Sequence, residues 1–440
     1  MVVKRFFKFL LAAIIIVVAA FSIFEFSNKY RISSVKNNIN LNIYAKNCKD
    51  AVGFDKDEEG NTYIAYKTYI KSLKSDGREN IILEDYNFNI ENVLYYDKKL
   101  FFVTNDKLME CDIDGKKVNV ILDKIPSEGR CICRNLIIKD SHLLLSIGAA
   151  TNSGIADKED YNDYKVPYDK SPINITLNGV NLGENKTGAF VPYGNSTKQG
   201  EKIKAENLGN ASIVDIDLNN KKTSLYACGI RNITGWDLDS EDNLIGIVGG
   251  MENVGDRPVQ RDSDYIYKID KGAWYGWPDF SGGDPISSPK FKDEKLIKPL
   301  IANPPNNIVC APLYAFEDVG IIKYLAIDKS GNVLDKNSKV FYNKKNNIIE
   351  ALSSNNIHYE LLKMKDESIV SGIKYFNDNI YILDSGIGCI YKLHYNKMNF
   401  KFNLSKPVWI FLLVFGICLL MVVIMKENKK RKIENNSKGK

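Results

Sequence analysis

Apolar and polar residues alternate with a period of two through most of the chain between residues 31 and 406, in short runs that end on Asn, Asp, Gly or Ser. TYIAYKTYIKSLKSDG (62–77) aligns without gaps on LFFVTNDKLMECDIDG (100–115): each is an alternating strand, a turn, a second strand and Asp-Gly. The first strand of this unit recurs as HLLLSIG (142–148), NLIGIVG (243–249) and NIYILDS (379–385). The second recurs as IVDIDLNN (213–220), YIYKIDKG (265–272) and CIYKLHYN (389–396), with a weaker copy, KVFYNKK (339–345), between them. Alternation bounded by turn residues predicts antiparallel strands. A unit this small cannot bury both faces of its strands alone, so the copies must stack. Six copies, two stretched by insertions, predict an all-β six-bladed propeller over residues 31–400, closed on itself so that few strand edges are exposed. The insertions, residues 149–212 and 273–310, are long enough to be either functional or disordered.

Two stretches break the alternation. Residues 9–24 carry no charge, and Phe6 and Phe7 extend the run if Lys8 snorkels toward the headgroups. At ~1.5 Å per residue such a helix just spans a bilayer core. Val408 to Met425 is a second uncharged run, with Trp409 where an interfacial aromatic belongs. Lys4, Arg5 and Lys8 precede the first run, and KENKKRKIENNSKGK follows the second. Positive flanks stay in the cytoplasm. The expectation is therefore an anchor within residues 1–30, a transmembrane helix at 407–425, a basic cytoplasmic tail at 426–440, and a propeller held outside the cell membrane. Val18-Ala19-Ala20 leaves open a cleaved signal peptide in place of the first anchor, and either version exports the body.

Charge then changes meaning. The formal net charge of +6 comes from the two ends, and what lies between them is nearly neutral. No basic patch with interleaved aromatics stands out there, which argues against nucleic acid as a partner. The membrane remains a partner through the ends. Of eight cysteines, Cys418 lies in the second apolar run, and the rest are widely spaced. Free buried thiols and one or two long-range disulfides both stay open, and with three histidines in the chain no zinc-ligand spacing occurs.

Three stretches exceed generic strand patterning: SIGAATNSG (146–154), CGIRNITGWDLD (228–239) and VGDRPVQRDSDYIYKIDKGAWYGWPDFSGGDP (254–285). In order and spacing they resemble the extracytoplasmic quinoprotein glucose dehydrogenases and, more broadly, the glucose/sorbosone dehydrogenase family; GAFVPYGN (188–195) adds to the resemblance. The resemblance implies a propeller that binds pyrroloquinoline quinone (PQQ) with calcium in a top-face cleft and oxidises a sugar hydroxyl by hydride transfer. Arg231 and Asn232 match cofactor-contacting positions: a guanidinium fork suits carboxylates, and an amide can donate to a quinone oxygen. Their alternative role is to organise a tight blade turn. Gly249 and Gly250 fall where backbone carbonyls would bind calcium. Asp262 and Asp264 could supplement such a site or cap the following strand. Trp274, Tyr275 and Trp277 could stack on a sugar, or wedge between blades.

The catalytic pattern departs at three places. The family's general-base histidine aligns with Arg130, and an arginine stays protonated. The acidic residue expected after Ile147-Gly148 is Ala149, and the last blade, NIYILDSGIGCIYKLHY, has no arginine pair. Glu128 is the nearest alternative base, while His142 opens the strand whose far end is Ile147-Gly148, ~20 Å away at 3.3 Å per residue. Two readings follow: a membrane-anchored, PQQ-dependent sugar dehydrogenase, or a catalytically degenerate propeller that binds an envelope glycan or a protein partner.

Overall fold

The repeated strands, with KVFYNKK as the first and not the second strand of its middle pair, lie in the middle of six antiparallel sheets in a computed structural model. It describes residue 30, residues 32–395 apart from 36–37, 132, 159–165, 293–295 and 307–308, and helical positions 413, 416, 417, 420, 424 and 426. From the innermost strand outward, blade 1 is Gly53–Lys56, Thr62–Ala65, Tyr69–Leu73 and Glu79–Glu84. Blade 2 is Ile90–Tyr96, Lys99–Thr104, Lys107–Asp112 and Val118–Leu122. Blade 3 is Leu136–Lys139, His142–Ile147, Ser212–Asp217 and Thr223–Cys228. Blade 4 is Ile233–Leu238, Leu244–Val248, Tyr265–Lys268 and Tyr314–Ala315. Blade 5 is Ile322–Asp328, Ser338–Asn343, Ile348–Leu352 and His358–Lys363, with Ser33–Ser34 added at its edge. Blade 6 takes Val370–Phe376, Asn379–Asp384 and Cys389–Tyr395 from the end of the propeller and its outer strand, Ile39–Lys46, from the beginning.

That last pairing closes the ring. Ile39 stands opposite Tyr395 and Lys46 opposite Cys389, so the first blade-forming strand is hydrogen-bonded to the last and clasps the ring, while itself forming the outer edge of blade 6. Each innermost strand packs beside those of the adjacent blades, all the way round. The apolar core lies between blades. Leu144, Ile213 and Tyr226 of blade 3 meet Trp236, Leu244 and Tyr265 of blade 4; Ile245 and Ile266 of blade 4 meet Leu325, Phe341 and Leu352 of blade 5. Fully burying one such side chain is worth roughly 1.5–3 kcal/mol, so every blade is stabilised by its neighbours.

Both insertions contain short two-stranded hairpins joined by irregular chain. Ile175–Asn178 pairs with Gln199–Ile203, and Asn181–Leu182 with Thr187–Gly188. Leu177 bridges to Ile301 across the two insertions, and Ile155, Ile175, Phe190, Trp274, Trp277, Phe291 and Leu300 share one apolar cluster. The insertions thus fold onto each other. The run at 9–24 lies outside the described residues, as does most of 408–425, and no helix among the described residues is long and apolar enough to cross a membrane. The seven described cysteines are unbridged.

Candidate functional site

Gly148 follows the second strand of blade 3, Gly249 follows the second strand of blade 4, and Arg231-Asn232 lead into the innermost strand of blade 4. Antiparallel order puts these three points on one face, and backbone hydrogen bonds stitch them together. Ala149 N–H donates to Arg231 O at 2.7 Å, Gly249 N–H to Asn232 O at 2.9 Å, and Arg130 N–H to Ala150 O at 3.0 Å. Arg130, Arg231, Asn232, Gly249 and Gly250 therefore converge. Close approach explains Gly250: a Cβ there would lie 2.1 Å from Ser263 O, whereas one at Gly249 would find its nearest neighbour at 3.7 Å.

Arg231 is buried, 5% exposed, and all three guanidinium nitrogens are engaged by protein. Nε donates to Asn152 O at 3.0 Å, Nη1 to Gly250 O at 2.5 Å, and Nη2 to Asn152 Oδ1 at 3.1 Å. Asn152 is the hub of the site. Its carbonyl also accepts from Trp277 Nε1 at 3.2 Å, its side-chain oxygen accepts from Glu252 N–H at 2.8 Å, and its amide donates to Glu252 O at 2.7 Å. Asn232 Oδ1 is buried without a hydrogen-bond partner.

The carboxylates nearby are structural. Asp264 accepts from the N–H groups of Gly320, Ile321 and Ile322 at 2.8, 2.8 and 3.0 Å, fastening the link into blade 5. Asp262 accepts from Met251 N–H at 2.6 Å, Tyr265 Oη at 2.7 Å and Ser281 Oγ. Both cap backbone, and among the described residues no cluster of three or more His, Cys, Asp or Glu could hold a metal ion. Burial pushes the Asp169 carboxyl up to about 6, against the N–H groups of Ala150 and Thr151 and the Thr151 hydroxyl, which all donate to it.

Arg130 sits between two carboxylates, 3.7 Å from Asp157 Oδ1 and 3.6 Å from Glu252 Oε2. Glu128 is exposed. His142 is on the opposite face, its Nδ1 2.6 Å from Asp215 Oδ1. The aromatic run is packed on protein: Trp274 meets Phe280 edge-on at 5.6 Å, Trp277 meets Phe190 at 5.9 Å, and Tyr275 meets Tyr267 at 5.3 Å. Tyr275 Oη donates to Lys268 O and accepts from Asp270 N–H, both at 2.8 Å. These rings wedge blade 4 against the insertions.

Arg231, Gly249, Gly250, Tyr275 and Trp277 line one cleft whose internal volume is about 20 Å³, room for one or two water molecules. As arranged, these residues do not fit a bound quinone with calcium. The arginine that would meet the cofactor's carboxylates faces inward, and of the two carbonyls that would meet the metal, that of Gly250 already accepts from this arginine. Sequence reasoning placed the arginine, asparagine and glycines together but missed Asn152 and Asp169. Asn152 lies inside the quoted SIGAATNSG run; nothing around Asp169 signals its role.

No protein-family model matches the chain, and no curated protein matches it. Solved structures do. The PQQ domain of a pyranose dehydrogenase from Coprinopsis cinerea, in its holo form, superposes with a TM-score of 0.55 at 12% identity, over 83% of this chain and 97% of that one. A calcium structure of a family AA12 carbohydrate-active enzyme from Trichoderma reesei gives 0.58 at 10% identity, over 83% and 98%. The PQQ-bound aldose sugar dehydrogenase of Streptomyces coelicolor gives 0.51 at 11%, over 82% and 99%. The chain has the propeller fold of the PQQ-dependent sugar dehydrogenases. On that fold, the arginine of the 228–285 motifs is bonded to its own protein, at Asn152 and Gly250.

Proposed function

We propose that this is a membrane-anchored, extracytoplasmic propeller on the sugar-dehydrogenase scaffold that works by binding an envelope glycan or protein partner and not by oxidising a sugar. The observation that carries this reading is Arg130. At the position expected for the general base stands a guanidinium flanked by Asp157 and Glu252. Oxidation of a hydroxyl needs a group that takes the proton as hydride departs. Arg130 cannot take it, Glu128 is exposed, and His142 belongs to the other face.

The anchors rest on the two uncharged runs and their positive flanks. The test is made on the full chain in detergent, supplied with PQQ, calcium, a panel of aldoses and a dye acceptor. The expected result is no cofactor-dependent dye reduction, with retention of specific envelope glycans or proteins on the immobilised chain. Dye reduction that requires both PQQ and sugar would replace this reading with the dehydrogenase one.

A further inference from the structure

The geometry points to Arg231 as a resident cation: its guanidinium fills an oxygen cradle made by the Asn152 and Gly250 carbonyls and the Asn152 side chain, and so holds this face shut without a metal ion. Carbonyl and amide oxygens converging on one point are the chemistry that a hard cation uses, and here they converge on nitrogen. Three nitrogens meet three oxygens at 3.0, 2.5 and 3.1 Å. None of these partners carries a charge, so the buried cation is solvated by dipoles, as an ion in a carbonyl cage would be. The nearby carboxylates are committed to other donors, Asp262 and Asp264 to backbone and hydroxyl groups and Asp169, which acts on Arg231 only through space, to Ala150 and Thr151. A divalent ion on Gly250 O would lie within a few ångströms of the guanidinium, and like charges at that distance in a buried site repel strongly.

The cradle also joins separate parts of the chain. Asn152 belongs to the first insertion, Gly250 and Glu252 to the loop after the second strand of blade 4, and Trp277, which donates to Asn152 O at 3.2 Å, to the second insertion. Arg231 thus binds together the segments that would have to part for any ligand to enter. This inference is independent of whether Arg130 blocks oxidation, since it concerns what occupies the oxygens and not what takes a proton.

The test uses the full chain in detergent and terbium(III) as the probe, because a lanthanide among these oxygens would sit beside the Trp277 indole and its emission would be sensitised. The wild-type protein is expected to show no calcium-displaceable emission, and its melting temperature to be unchanged by chelator or millimolar calcium. Arg231→Met removes the charge at similar length, and is expected to gain saturable emission that calcium displaces. Arg231→Lys keeps a cation in place and is expected to stay dark. Calcium-displaceable emission from the wild-type protein, or a folded Arg231→Met that stays dark, would overturn the inference. If Arg231→Met does not fold, the wild-type measurements decide: a calcium-dependent rise in melting temperature overturns it, and calcium indifference together with a folded, dark Arg231→Lys upholds it.

Discussion

Arg257 and Asp279 form a fully buried ion pair, Nη2 to Oδ1 at 2.8 Å, with 1% and 3% of their side-chain surfaces exposed. The pair is a junction and not an isolated bridge. Arg257 also donates to Ser153 O, Pro278 O and Lys298 O at 2.8, 2.9 and 2.9 Å, while Asp279 accepts from the N–H groups of Leu300 and Ile301. One charge pair therefore ties the loop of blade 4 to both insertions.

Removing one partner leaves the other charge buried and unmatched, which costs more than the pair itself contributes. Asp279→Ala is expected to destabilise the protein by about 3–5 kcal/mol. Denaturant unfolding of the full chain in detergent measures this, and limited proteolysis should place the first new cuts within residues 149–212 and 273–310. A change below 1 kcal/mol would show that the junction is solvated and the insertions are held by apolar packing alone.

Gly249 and Gly250 adjoin in sequence but differ in surroundings. A methyl at Gly250 meets Ser263 O at 2.1 Å, and one at Gly249 meets nothing nearer than 3.7 Å. Gly250→Ala is expected to lower the melting temperature sharply, since backbone must move to admit it, and Gly249→Ala to leave it nearly unchanged. Equal behaviour of the two variants in a thermal melt would contradict this placement of the 249–252 loop.

Asp169 should give stability a pH dependence of definite sign. Its folded value, about 6, lies above the ordinary carboxylate range because burial disfavours the charged form. The folded state therefore holds a proton that the unfolded state has released. The contribution is fully present below the unfolded value near ~4, shrinks as pH rises through about 6, and is lost above it. By linkage it amounts to at most about 3 kcal/mol. Asp169→Asn should flatten this part of the stability profile between pH ~4 and ~7. A variant whose unfolding midpoints track the wild type across that range would remove Asp169 as the source.

Arg130→His restores an imidazole where the dehydrogenase pattern expects one, yet the Arg231 contacts to Asn152 and Gly250 do not depend on it. Dye reduction with PQQ, calcium and aldose is expected to stay at background in this variant. Turnover by Arg130→His alone would mean that the cleft opens on its own and that only the base is missing.

Much of the fold was legible because the middle strands of each blade are packed on both faces by their neighbours and read as short apolar runs bounded by turn residues, as in Leu100 to Val103 or Ile380 to Leu383, all buried. The innermost strands were not legible for a physical reason. Register breaks between Ile90 and Asn92, Ile233 and Gly235, Lys323 and Leu325, and Val370 and Gly372 interrupt the period of two. The outer strands, such as Glu79–Glu84 and Val118–Leu122, are largely solvent-facing and lose the apolar half of the pattern.

At the site, local sequence determined residue types and spacing: glycines after the second strands, Arg231-Asn232 before an innermost strand, and an arginine at 130. Those facts, with the six-fold strand repeat, follow from short-range chemistry that any reader of the chain can follow. Whether Arg231 turns outward to a ligand or inward to Asn152 and Gly250 is not a local property. It depends on carbonyls 79 and 19 residues away in sequence, brought together only when blades 3 and 4 and both insertions are packed. The chain's own alternation made the propeller, and long-range packing decided that its signature arginine faces the protein.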